Sequence, residues 1–334
     1  MTSSFKISAL AWVVTICLLY GCNKTNPDVT PVVPTPPVTP TPAYDVYIAG
    51  SGGAFTKTAF VWKNDIPTTL STNGFGNGIY VSGSDVYVAG ASGDSAVVWK
   101  NGIATYLASG ATAYSVFVAG TDVYVAGLVG SSAALWKNGT VSILAAIGVC
   151  RSVFVNGADV YALGSDNSGN QVYWKNGVPT KVNYAPNTSG VCTSIYVSGS
   201  DVFVCGNFRN NSGPANPQAT YWKNGTQVNL PSPTTFVNST SNSIFISGSD
   251  VYVAGFASSN GSSATERAIL WKNGTANILS SGPNGEEANS VFVIDNDVYV
   301  TGSGGGFAER RLWKNGIEVS KPAGVGTGVF VVKR

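Results

Sequence analysis

Two short signatures recur seven times each in one register, and few folds can satisfy both. Trp-Lys-Asn appears at Trp62, Trp99, Trp136, Trp174, Trp222, Trp271 and Trp313; six copies continue with Gly, and the first has Asp65. Asp-Val-aromatic starts at Asp45, Asp85, Asp122, Asp159, Asp201, Asp250 and Asp297, and each copy reaches a Gly five residues later. Self-similarity at a fixed period of this size marks a repeat architecture.

Each unit contains four short β runs. In the second they are Ile79–Val81, Val86–Ala89, Ala96–Trp99 and Ala104–Leu107. Ser82-Gly83-Ser84-Asp85 joins the first pair and Asn101-Gly102 the last, the latter being the strongest short hairpin signal. Four-stranded units of about 40 residues predict an all-β, seven-bladed propeller with four antiparallel strands per blade. A membrane barrel needs strands of about 9–11 residues with polar and apolar positions alternating, and these runs are too short. The first unit begins at Asp45 and lacks the strand that precedes Asp elsewhere; Gly328–Arg334 aligns with that strand. The C-terminal segment is therefore expected to complete blade one, which removes an exposed edge.

The strand order, with an aromatic-Val-x-Gly second strand and a Trp in the third, resembles the kelch and galactose-oxidase type of propeller over residues 44–334. The Gly-Gly doublet of kelch repeats is absent from most units, and the Trp sits elsewhere. Exported Bacteroidetes-type lipoproteins with repeated Trp-Lys-Asn-Gly resemble the chain more closely.

Lys6 precedes an apolar run from Ile7 to Tyr20 that suits a signal-peptide core and is short for a spanning helix. It ends in Leu19-Tyr20-Gly21-Cys22, which resembles a bacterial lipobox, although Tyr20 is bulky for its place. The resemblance implies a signal peptide over residues 1–21 and a lipid on Cys22. Residues 22–43 hold that Cys and a Pro/Thr-rich linker, extended at about 3.1 Å per residue, and residues 44–334 form the propeller. The expected location is the cell envelope, lipid-anchored at the outer membrane or cell surface rather than the inner membrane, with the protein a monomer.

Composition narrows the chemistry. The chain has no histidine, which removes histidine bases, Ser-His triads and nearly all zinc sites. A formal charge of +2 without a basic run argues against a nucleic-acid partner. No cofactor, metal site or catalytic residue emerges. Asp166–Asn170 lacks the spaced acids of a calcium loop and reads as a polar turn.

Residues shared by all seven units read as scaffold, with the Trp between blades and the Asp and Lys paired or capping turns. Departures from the repeat point to function. From Gly to the next Trp takes nine residues in unit two but sixteen in units five and six, so insertions gather in blades four to six on one face. That sector carries Arg151, Tyr184, Phe208, Arg209, Asn210, Phe236, Glu266 and Arg267, the candidate ligand-binding residues. Arg151 aligns with Thr327, Asn77, Tyr114, Thr193, Asn242 and Asn289, a mostly polar ring expected near the mouth of the central channel. Glu266-Arg267 and Glu309-Arg310 sit near each other in repeat register, which suggests an ion pair on the rim. Cys150 and Cys192 occupy equivalent positions, read as small buried residues or as a disulfide. The leading expectation is a binding or scaffold module for a glycan or an envelope protein. The alternative is a carboxylate-based glycosidase or lyase, which requires two acids about 5–10 Å apart, drawn from Asp94, Asp166, Glu266, Glu286, Glu287 and Glu309.

Overall fold

The Trp-Lys-Asn-Gly motif folds as one latch. In blade two, Asn101 and Gly102 both adopt positive φ (52° and 82°), the requirement of a tight two-residue hairpin turn. Asn101 Nδ2 donates to Asp85 Oδ1 at 2.8 Å, and its Oδ1 accepts the Val86 amide at 2.8 Å. Lys100 Nζ lies 2.8 Å from Asp85 Oδ2 and 5.4 Å from the Tyr87 ring centroid. The two sequence signatures are thus the two halves of a clasp between the outer turn and the second strand. All seven blades repeat the Asp–Lys pair.

The computed structural model describes residues 44–52, 57–184, 187–211, 216–260, 262–280, 285–306 and 308–334. The expected signal peptide, Cys22 and the Pro/Thr-rich linker lie outside the described residues. Among the described residues no helix is long and apolar enough to cross a membrane.

The strands form seven antiparallel sheets of four, the blades of a β-propeller. Blade one takes its inner strand, Val325–Lys333, from the C-terminal segment, with Asp45 opposite Val332 and Tyr44 opposite Lys333. Closure therefore follows the alignment of Gly328–Arg334 with the other inner strands. The seven Trp are at most 4% exposed and fill the blade seams.

Six seams share one plug. Leu70, Leu107, Leu144, Val182, Leu230 and Leu279, at equal offsets in or just past the outer strand, each pack in a cluster with the Trp of the next blade. The seam between blades seven and one departs from this at three positions. An exposed Lys321 stands where the plug should be, Arg310 stands where five blades have a buried Ala, and Asp65 replaces the turn Gly. These departures compensate for one another. The fully buried Arg310 guanidinium lies 5.0 Å over the Trp62 ring and pairs with Asp65, occupying the space that the plug fills elsewhere.

Every inner strand also carries a β-bulge at the same level. The register slips at Asn77, Tyr114, Arg151, Thr193, Asn242 and Asn289, and the blade-one pairing slips between Ala49 and Gly50 beside Thr327. The repeated Gly of the second strand allows this. A Cβ on Gly90 or Gly164 would lie 1.9 or 1.8 Å from a carbonyl oxygen of the inner strand. The bulge re-aims one side chain per blade, and those side chains form the site described next.

Candidate functional site

The seven bulge residues converge on the propeller axis and line a polar cavity of about 190 Å³, together with the residues that follow them. Five of the seven staple their blade to the next through the backbone carbonyl that precedes the neighbouring bulge. Asn77 donates to Ala113 O at 2.8 Å, Thr193 to Ser241 O at 2.9 Å and Asn242 to Ala288 O at 3.0 Å. Asn289 donates to Gly326 O at 2.9 Å and Thr327 to Gly76 O at 2.8 Å. The two remaining positions hold Tyr114 and Arg151, in adjacent blades three and four. Neither side chain has a hydrogen-bond or ion-pair partner among the described residues, so the staple ring is open over one arc. The carbonyls of Cys150 and Cys192, counterparts of the five acceptors, receive no ring side chain.

A second layer sits one residue further along each inner strand. Ser115, Ser152, Ser243 and Ser290 accept the amides of Val153, Ile195, Val291 and Val329 across the seams at 3.2–3.3 Å. Two residues beyond that, Tyr80, Phe117, Phe154, Tyr196, Phe245, Phe292 and Phe330 form a closed aromatic ring, with neighbouring centroids 4.6–5.1 Å apart. Such tilted contacts favour a rigid collar. Burial raises the pKa of both Tyr80 and Tyr196. The sequence carries one aromatic at this position of every inner strand, and closure of the propeller brings them together as a ring.

The wall around the mouth is uneven. In blade five the inner hairpin stays paired up to Thr188 and Asn210, whereas in blade four pairing stops at Cys150 and Gly164. Arg151 stands at this low point, beside the tallest ribbon.

The other candidate residues lie in several places. Arg209 and Asn210 are exposed at the end of the blade-five ribbon, with Arg209 Nε donating to Ser189 Oγ at 3.4 Å. Phe208 sits lower in the same ribbon, half-buried. Tyr184 turns inward: its ring lies 5.2 Å from that of Trp222, its hydroxyl is 3.3 Å from Cys192 Sγ, and burial raises its pKa. Phe236 packs against the core shared by blades five and six. Arg267 donates to the Glu266 carbonyl at 2.9 Å. The expected rim pairing of Glu266-Arg267 with Glu309-Arg310 does not form. Arg310 is committed to Asp65, and Glu309 lies 2.6 Å from Arg311.

Two of the candidate acids come together in the fold. Glu266 and Glu287 meet where blade six faces blade seven, and their carboxyls interact directly. Burial and then repulsion from Glu266 raise the Glu287 pKa to about 7, and burial raises Glu266 also. Beside them Arg311 is held by Glu286, Glu309 and Glu318 at 2.6–3.0 Å. Among the described residues no acid or thiol cluster has the geometry to hold a metal ion. Asp166 accepts the amides of Ser168 and Asn170, which makes the polar turn expected of it. Cys150, Cys192 and Cys205 are free and buried, with burial pushing the first two thiols up to about 12.

A larger cavity, about 440 Å³, opens at the closing seam between Tyr44, Val46 and Ile48 on one side and Tyr299, Leu312 and Val319 on the other.

No protein-family model matches the sequence, and no curated protein matches it. Solved structures do. A putative 6-phosphogluconolactonase from Bacteroides uniformis aligns with a TM-score of 0.52 at 13% identity, covering 86% of this chain and 99% of that one. A second, from Bacteroides fragilis, gives 0.52 and 13% over 89% of this chain and 100% of that one. A periplasmic gluconolactonase from Pseudomonas aeruginosa gives 0.50 and 10% over 86% and 99%. At these identities the likeness is one of fold, and it places the chain among β-propellers.

Proposed function

We propose that the protein is an envelope-anchored lipoprotein whose propeller binds a ligand, a glycan in particular, at the channel mouth. One observation carries the binding reading: Arg151 enters a polar cavity on the axis with no counter-charge, in the one arc where the staple ring is open. A half-buried guanidinium without a partner is costly unless something else neutralises it. The neighbouring ribbon of blade five, with Arg209 and Asn210 at its end, gives an extended ligand a second place to rest.

Anchoring is supported by Lys6, the apolar run and the Leu19-Tyr20-Gly21-Cys22 sequence. The Pro/Thr-rich stretch is long enough to hold the propeller clear of lipid head groups. Fractionation of cells making Cys22→Ala tests this, since loss of the protein from the membrane fraction is expected. A glycan array probed with the mature protein tests the binding reading. Binding that Arg151→Ala abolishes and Lys100→Ala leaves intact supports the channel mouth, and equal loss from both variants refutes it.

A further inference from the structure

We propose that the channel-mouth ligand is a hydroxylated carboxylic acid, a sugar acid of the uronic type, whose carboxylate pairs with Arg151 while its hydroxyls bond the Ser and Asn side chains that line the cavity. This rests on the binding reading above and names the chemistry of its ligand.

The argument comes from what the open arc offers. Five bulge side chains close their part of the ring by donating to the carbonyl of the next blade. At the seams between blades three and four and between blades four and five, the corresponding carbonyls belong to Cys150 and Cys192. Their ring neighbours, Tyr114 and Arg151, do not bond to them. Those two carbonyls are fully buried, so the arc presents to the cavity a phenol hydroxyl and one cation, beside the Ser and Asn side chains of the remaining lining. A ligand that complements it needs hydroxyls and one negative charge.

Charge number separates the anions. Among the described residues, Arg151 is the only charged one lining the cavity. A singly charged carboxylate matches one guanidinium and can take its two parallel N–H bonds. A phosphate monoester near −2 at neutral pH exceeds what the site neutralises. The polar lining disfavours an apolar ligand. A volume of about 190 Å³ corresponds to roughly six liquid waters, the size of a single sugar ring rather than an oligosaccharide. Further residues of a chain would extend past the low wall of blade four.

The decisive variant is Arg151→Asn. Asn is the residue at Asn77, Asn242 and Asn289, where it completes the staple, so this change closes the ring on Cys192 O and removes the cation together. Calorimetry on the mature protein, with galacturonate and glucuronate against galactose, glucose and inorganic phosphate, provides the readout. Uronates are expected to bind, neutral sugars and phosphate to bind roughly tenfold or more weakly, and Arg151→Asn to lose uronate binding with the melting temperature unchanged or raised. Neutral sugars binding as well as uronates, with no loss in Arg151→Asn, would overturn the sugar-acid assignment. The channel mouth would still stand as a site if Thr193→Val weakened that binding. Binding of none of the probes, alongside a silent glycan array, would overturn both.

Discussion

Arg334 Nε donates to Asp45 Oδ1 at 2.7 Å, tying the last residue of the sequence to the second residue of the first strand. Asp45 is the repeat Asp of blade one, and it also holds Lys63 at 2.9 Å and Asn64 at 2.8 Å. The shared clasp of the repeat is here reinforced by a second cation, at the one seam where no covalent connection joins inner and second strands.

Burial would raise the Asp45 pKa, but Lys63, Arg334 and Asn64 outweigh it and hold the carboxyl at about 2. Its contribution to stability is therefore present above the unfolded value of about 3.9 and lost as pH falls through 2. Arg334→Ala should lower the melting temperature at pH 7, and the difference from wild type should narrow toward pH 2. Deleting residues 326–334 removes the inner strand of blade one and should unfold the whole ring. An unchanged melting temperature after that deletion would refute closure.

The Glu266–Glu287 contact makes stability fall with rising pH. Because burial and then Glu266 raise the Glu287 pKa to about 7, the native state holds a proton that the unfolded chain releases near pH 4.3. Stability should decline between about pH 4.3 and 7 from this source. Glu287→Gln keeps the shape of the side chain without the charge, so it should raise the melting temperature at pH 8 and leave it nearly unchanged at pH 4. An equal shift at both values would separate the effect from titration.

Asp65, Arg310 and Lys321 should behave as one unit. Asp65→Gly alone leaves the Arg310 charge buried without its carboxylate and should cost about 3 kcal/mol. Adding Arg310→Ala and Lys321→Leu recreates the pattern of the other blades and should restore the loss. Urea unfolding of the single and triple variants measures this, and simple additivity of the three changes would show that the positions are independent.

Asn101 contributes through both its backbone and its side chain. Asn101→Gly retains the positive φ but loses both hydrogen bonds of the latch, at a cost of about 1–2 kcal/mol. Asn101→Ala adds the strain of φ 52° on a Cβ-bearing residue and should cost about 1 kcal/mol more. Thermal melts of the two variants distinguish these contributions, and equal losses would mean that the backbone conformation contributes nothing.

The sequence alone determined the blade count, the four-strand unit, the closure by Gly328–Arg334 and the ring that includes Arg151. These depend on hairpin chemistry and strand period, which are local and repeated, so each copy checks the others. It also placed Trp62 and its six counterparts in the seams, because a large apolar side chain at a fixed place in every blade must be buried. What it could not give was how side chains from different blades meet. Glu266 finds Glu287 across a seam, Asp65 finds Arg310 only once the ring has closed, and Tyr184 turns in to Trp222 and Cys192 instead of facing solvent. Those pairings depend on neighbouring volumes and on the bulge that re-aims each inner strand. That is why the gap in the staple ring at Tyr114 and Arg151 emerged only from the tertiary structure.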